Sequence, residues 1–306
     1  MKMTTPSGGR VFRLCATLVL ALSAAAGAAC SASPTDPTDP GGNGNGNGGS
    51  QVSYTAVGAS DAIAIGASVS CLPFIDCPNG TGYVQLINRE LARSGGLDNF
   101  LNLGIPGAVL SPRIQGISQA YGPRVDFNFL DREVPFVARD STIVTIFAGG
   151  NDTNVVARSV SGSANGNPRA YVDDQARQFA AEMGALIDGI RARAPAARIV
   201  IANLPNFAGA PFTSSYTMDQ RRVLQQISVD FSRVGINPLA SRPNVAVVDL
   251  LCEDRFYAAS TYSSDGFHPN DNGYAIMAEM MLAAIRSTSY PAPSGSCGRM
   301  SIVPSL

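Results

Sequence analysis

The sequence predicts an α/β domain whose parallel sheet is covered by helices on both faces. Two patterns carry that expectation. Short apolar, β-branched runs alternate with segments whose apolar residues recur every three or four positions, and such strand–helix alternation is how parallel sheets are connected. Turns rich in glycine, asparagine or polar residues follow the strand-like runs, at the strand ends where open parallel sheets bind their ligands. Residues 51–306 are long enough for one such domain with a sizeable core.

The strand candidates are residues 54–58, 100–104, 142–147, 198–202 and 245–250. Helical candidates lie between them. Residues 83–93 carry Val84, Leu86, Ile87 and Leu91, and residues 170–193 carry Phe179, Met183, Leu186, Ile187 and Ile190 at helical spacing. Residues 218–234 and 271–286 follow the same rule. Residues 153–173 and 207–216, after the third and fourth strands, are expected to overhang a cleft at the sheet edge.

The chain before this domain reads as an address and a tether. Lys2, Arg10 and Arg13 precede an Ala- and Leu-rich run over residues 14–29, a signal-peptide pattern too short for a good membrane anchor. Its end, Ala26-Gly27-Ala28-Ala29-Cys30, resembles a bacterial lipoprotein cleavage site with Cys30 as the lipidated residue. Gly27 stands where that site prefers a larger aliphatic side chain, and plain cleavage after a small-residue motif is the alternative. Residues 31–50 form a Pro/Asp and then Gly/Asn tract with nothing to bury, hence a linker spanning roughly 25 Å on average. The expected organisation is a leader over 1–30, a linker over 31–50 and a domain over 51–306.

Composition removes whole classes of chemistry. Lys2 is the single lysine, so Schiff-base chemistry, a Ser-Lys dyad and a P-loop are excluded downstream of the leader. One histidine, His268, rules out His-rich zinc sites. A formal net charge of -1 gives no basic face for nucleic acid. Beyond the leader remain Cys71, Cys77, Cys252 and Cys297, an even number suited to an oxidising compartment. They allow three pairings. The preferred one joins Cys71–Cys77 across a short loop and Cys252–Cys297 across the C-terminal tail, with a four-thiolate zinc site as the disfavoured alternative because no C-x-x-C pair is present.

His268 lies in Asp265-Gly266-Phe267-His268-Pro269-Asn270, so Asp265 is placed to orient the ring. Reading the strand ends together supplies its partners. The first strand is followed by Gly58-Ala59-Ser60-Asp61, the second by Gly104-Ile105-Pro106-Gly107-Ala108, and the third by Gly149-Gly150-Asn151-Asp152. A hydroxyl, a glycine turn, an amide and an imidazole thus converge on one edge. This is a set for acyl transfer: Ser60 as nucleophile, His268 as base, and the Ser60 N–H, Gly107 N–H and Asn151 amide as oxyanion donors. Each piece alone is commonplace, since glycine turns and Asn-Asp caps are ordinary loop chemistry. Their joint order is not.

On these residues the chain resembles the SGNH (GDSL-type) hydrolase family over residues 53–288. The resemblance matches Ser60 to the family nucleophile, Gly107 to its glycine donor, Asn151 to the asparagine of G-x-N-D, and Asp265 and His268 to the D-x-x-H pair. It implies a three-layer α/β/α sandwich on a five-stranded parallel sheet with flavodoxin-like strand order. The family's G-D-S is Gly58-Ala59-Ser60 here, which changes the hydrogen bonding of the nucleophile turn, and Asp61 is the nearest replacement.

The expected function is an exported, lipid-anchored serine esterase acting on short-chain or soluble esters. It is expected to be monomeric, to need no cofactor or metal, and to meet the membrane only through its anchor. The rival activities are polysaccharide O-deacetylation and (lyso)phospholipid hydrolysis on the same site. A rival of another class is a catalytically silent envelope lipoprotein that binds rather than cleaves.

Overall fold

The computed structural model describes residues 51–306 apart from Phe74 and Asp76. The leader, Cys30 and the linker lie outside the described residues. The elements run β1 (Val52–Gly58), α1 (Tyr83–Arg93), β2 (Leu97–Asn102), α2 (Pro112–Tyr121), α3 (Phe129–Arg132), β3 (Ile143–Phe147), α4 (Gly150–Ser163), α5 (Pro168–Arg193), β4 (Arg198–Ala202), α6 (Met218–Asp230), β5 (Val245–Val248) and α7 (Asp271–Arg286).

The five strands pair in the order β2-β1-β3-β4-β5, every pair parallel. Helices α1 and α7 pack together on one face, and α2, α4, α5 and α6 form a second packed set. The expected three-layer α/β/α sandwich is therefore present. The chain leaves β1 for β2 on one side and returns to β3 on the other. That reversal opens a crevice beyond the strand ends, between the segments that follow β1 and β3. Ser60 follows β1 and Asn151 follows β3, so the topology alone brings them to one place.

Hydrophobic burial explains why these strands are central. All five residues of β3 are buried, as are Ile199 to Ala202 of β4. Two hydroxyls of β1 find partners, Tyr54 with Thr145 at 2.8 Å and Thr55 with Ser141 at 2.7 Å. Behind the sheet, Phe179 of α5 stacks on Phe231 with ring centroids 4.0 Å apart.

Several boundaries differ from the sequence reading, each for a local reason. Strand β2 starts at Leu97, earlier than residue 100, because its first half is an edge carrying exposed Asp98 and Asn99 that breaks the apolar pattern. It ends at Asn102, whose side chain accepts from Gly104 N at 3.1 Å and donates to Ala62 O at 2.7 Å, turning the chain. Strand β5 stops at Val248 rather than 250, since the Asp249 carboxylate accepts from Cys252 N at 3.3 Å and closes a turn. Helix α5 begins at Pro168, with Asn167 as its N-cap through a 3.0 Å bond from Ala170 N. Helix α6 ends at Asp230, and a π-helical turn over Phe231–Ile236 completes the stretch expected to be α-helical.

Residues 153–173, expected to overhang the cleft, form most of α4 and the start of α5, and Asn154, Val155 and Arg158 line that cleft. Glycine and serine in the second half of α4 weaken its pattern, but Val155, Val156 and Val160 bury one side.

Both preferred disulfides are formed, Cys71–Cys77 and Cys252–Cys297. They leave no free thiolate among these four cysteines for a zinc site. Among the described residues no helix is long and apolar enough to cross a membrane.

Candidate active site

Ser60 opens a short 3-10 turn, Ser60–Ile63, at the end of β1. The turn is held from several sides. Gly58 N donates to the buried Glu133 Oε2 at 2.9 Å, Asn102 Nδ2 reaches Ala62 O at 2.7 Å, and Tyr274 O–H donates to Ile65 O at 2.6 Å. Asp61, the nearest replacement for the missing acid at Ala59, makes one long contact of 3.4 Å from the Tyr274 hydroxyl. Glu133, Asn102 and Tyr274 therefore do most of the work of fixing this turn. The sequence assigns none of the three to this turn, because each is distant in the chain from Ser60. Burial raises the Asp61 carboxyl, while the nearby His268 pulls it down.

The turn after β5 carries the other two groups. Ser263 O–H, Phe267 N–H and His268 N–H donate to Asp265 Oδ1 at 2.8, 2.8 and 2.9 Å. Asp265 Oδ2 then lies 2.6 Å from His268 Nδ1, and His268 Nε2 lies 2.9 Å from Ser60 Oγ. Partial burial opposes the charged carboxylate, but the His268 ring and those three donors hold its pKa down to about 2. An ionised Asp265 can only accept, so Nδ1 carries the proton and Nε2 is left as acceptor for the serine hydroxyl. Such a chain can move a proton from Oγ to the ring.

The segment after β2 and the start of α4 meet through two consecutive side chains. Asn151 Nδ2 donates to Ala108 O at 2.9 Å, and the buried Asp152 Oδ1 accepts from Leu110 N at 2.9 Å. One amide hydrogen anchors Asn151 and the second is free to face a substrate. Gly107, between those contacts and Ser60's turn, adopts φ 76°, and a Cβ there would meet nothing within 4 Å. Its openness is toward the cleft, so a side chain would occupy substrate space and would also strain this left-handed backbone. Burial pushes the Asp152 carboxyl up to about 7.

Beside these groups opens a cleft of about 460 Å³, lined among others by Gly107, Asn151, Phe212, Tyr216 and Phe267. Residues 207–216 were expected at this edge, and Phe212 and Tyr216 supply part of the wall. Ser60, His268 and Asp265 are in direct contact, and Asn151 is tied to the Gly107 loop. The buried Glu133 carried no pattern that would have marked it in the sequence.

Residues 53–276 match the GDSL-like Lipase/Acylhydrolase family. The fold is shared with the lipase Lip_vut3 from a goat rumen metagenome, at 17% identity and TM-score 0.51, covering 76% of this chain and 97% of that one. It is shared with the extracellular lipase of Streptomyces rimosus at 18% identity and TM-score 0.51, covering 76% and 99%. Phospholipase A1 of Streptomyces albidoflavus NA297 is similar at 17% identity and TM-score 0.50, covering 77% and 100%. No curated protein sequence matches the chain.

Proposed function

Because the chain belongs to the GDSL-like lipase/acylhydrolase family and is a serine ester hydrolase, we propose that it cleaves carboxylic esters through a Ser60–His268–Asp265 acyl-enzyme mechanism. One observation carries the reading: an unbroken contact from Ser60 Oγ to His268 Nε2 at 2.9 Å and from His268 Nδ1 to Asp265 at 2.6 Å. His268 takes the Ser60 proton as Oγ attacks the ester carbonyl. The tetrahedral oxyanion accepts from Ser60 N–H, Gly107 N–H and the free Asn151 amide hydrogen. Collapse expels the alcohol, protonated by His268, and leaves Ser60 acylated. Water, deprotonated by the same ring, then releases the acid. Asp265 stays ionised throughout and steadies the imidazolium.

The cleft is open and mixed in character, with Arg124, Asp126, Asn154 and Arg158 among its lining residues. That supports soluble or short-chain esters as substrates. We also infer export, with Cys30 as the lipid anchor; the two disulfides suit an oxidising compartment.

Ser60→Ala tests the mechanism. It should abolish both esterase activity and labelling by a fluorophosphonate while the protein keeps its melting temperature, since a small hydroxyl at a strand end contributes little stability. Labelling that survives in the variant would move the nucleophile elsewhere. Ser68 and Ser263 hydrogen-bond to Asp271 and Asp265 rather than to the imidazole, so neither has the base it would need.

A further inference from the structure

We propose that a groove along α4 holds an anionic group of the substrate between Arg158 and Arg222, so that this enzyme prefers esters carrying a phosphate or carboxylate away from the scissile carbonyl. The inference rests on the serine-hydrolase reading of the site and adds to it the chemistry of what the site selects.

The catalytic cleft does not end at Asn151. It shares Asn154, Arg158 and Tyr216 with a second cavity of about 780 Å³ between α4 and α6. Positions 151, 154 and 158 are spaced by three and then four residues, which sets them along one face of α4. Arg158 stands seven residues beyond Asn151, about 10 Å along the helix axis. A group held there is thus well separated from the ester bond but still within the reach of one small molecule.

Two arginines line this groove. Elsewhere around these helices Arg113, Arg169 and Arg177 each pair with a carboxylate. Arg158 is exposed and, among the described residues, pairs with no carboxylate and donates to no carbonyl. Across the groove on α6, Arg222 Nη1 lies 3.2 Å from Asp219, whose side chain is largely exposed. Its Nε is buried with no acceptor. A buried donor without a partner is costly. Two guanidinium groups thus line the groove together with Asp219 and Leu306, and guanidinium is the side chain best matched to phosphate or carboxylate oxygens. Val160, Val223 and Leu224 also line the cavity, giving apolar contact for the stem that joins the anion to the ester.

The test compares matched ester pairs on one enzyme preparation. The first pair sets p-nitrophenyl monoesters of straight dicarboxylic acids, in several lengths, against p-nitrophenyl esters of the corresponding monocarboxylic acids. The second sets a monoacylglycerol phosphate against the same monoacylglycerol. The readout is the ratio of kcat/KM, anionic over neutral, which is insensitive to the fraction of folded enzyme. The wild-type ratio should exceed one in at least one pair, through a lower KM, and shrink as sodium chloride is added. Arg158→Ala, Arg158→Gln and Arg222→Ala should each lower it, by about tenfold for Arg158→Ala, the equivalent of ~1.4 kcal/mol. Arg177→Ala, on the exposed side of α5, should leave it as it is.

A response in the dicarboxylate pair puts the anion on the acyl side, and one in the phosphate pair puts it on the alcohol side. Ratios of one in both pairs, or ratios that ignore both arginines, overturn the inference while leaving the esterase intact. Failure to hydrolyse any ester, together with no fluorophosphonate labelling, would instead remove the serine-hydrolase reading and this inference with it.

Discussion

Asp152 and Glu133 are buried carboxyls that brace the site from behind, one at the start of α4 and one beneath the strand that leads to Ser60. Burial raises both, Asp152 to about 7 and Glu133 well above its ordinary range. Each accepts a backbone N–H through one oxygen and leaves the other oxygen without a partner. For Asp152 the linkage has a definite sign. An unfolded Asp ionises near roughly 3.9, so below that value both states are protonated and its contribution is fully present. It is lost as pH rises through about 7, where the folded carboxyl must also ionise. The loss is about 1.4 kcal/mol for each pH step between the two values. Asp152→Asn keeps an acceptor for Leu110 N and carries no charge at any pH. Its melting temperature should therefore gain on the wild type between about pH 5 and about pH 8. Parallel curves across that range would show that Asp152 ionises normally. Asp265 has the opposite sign: held down to about 2, it stabilises the fold above the ordinary carboxylate range and loses that contribution as pH falls toward its folded value.

At the scale of elements, the turn after β5 has to bring Asp265 and His268 to a strand end it does not belong to. Gly266 makes this possible. It adopts φ 69°, its carbonyl accepts from Phe212 N at 3.1 Å, and a Cβ at this position would lie 2.6 Å from that same nitrogen. The obstacle is backbone, so it cannot rotate away. Gly266→Ala should cost about 1–3 kcal/mol through strain, and it should depress kcat further because the displaced turn carries the base. Gly295→Ala is the comparison: nothing lies within 4 Å of its Cβ, and its effect should stay within about 0.5 kcal/mol. Equal effects of the two substitutions on stability and kcat would mean that the turn tolerates movement and that His268 is positioned by other contacts.

Across the whole molecule, the C-terminal tail is stitched back onto the sandwich. Gln225 of α6 accepts from Ile302 N and Val303 N at 2.7 and 3.0 Å, Asn206 donates to Arg299 O at 2.8 Å, and Cys252–Cys297 closes the loop covalently. The two disulfides enclose very different lengths, 45 residues against 6. On the chain-entropy account the longer closure contributes about 4 kcal/mol and the shorter about 2. The paired substitution of Cys252 and Cys297 by serine should accordingly lower the melting temperature more than the same change at Cys71 and Cys77. The reverse order would make local packing around Cys71 the larger effect. The proposed tether has its own check. Cys30→Ser should convert a detergent-phase protein into an aqueous or unprocessed one, because lipidation requires that thiol. Wild-type protein found in the aqueous phase would favour plain secretion.

The sequence by itself determined the five strands, helices α1, α5, α6 and α7, and the choice of Ser60, Gly107, Asn151, Asp265 and His268 as candidates. Strand and helix periodicities are local, and each of those five residues sits in a short segment whose turn chemistry is also local. A single histidine left no choice of base. What the tertiary structure decided is everything that depends on residues far apart in the chain meeting. Glu133 under Gly58, Asn102 and Tyr274 on the nucleophile turn, and Asp152 on the Gly107 loop are separated from their partners by tens to hundreds of residues. Helix α4 was hidden for a related reason: its serines and glycines dilute the periodic signal, and burial of Val155, Val156 and Val160 against the rest of the fold decides its form. The meeting of Arg158 and Arg222 across one groove belongs to the same class, since it exists only where α4 packs beside α6.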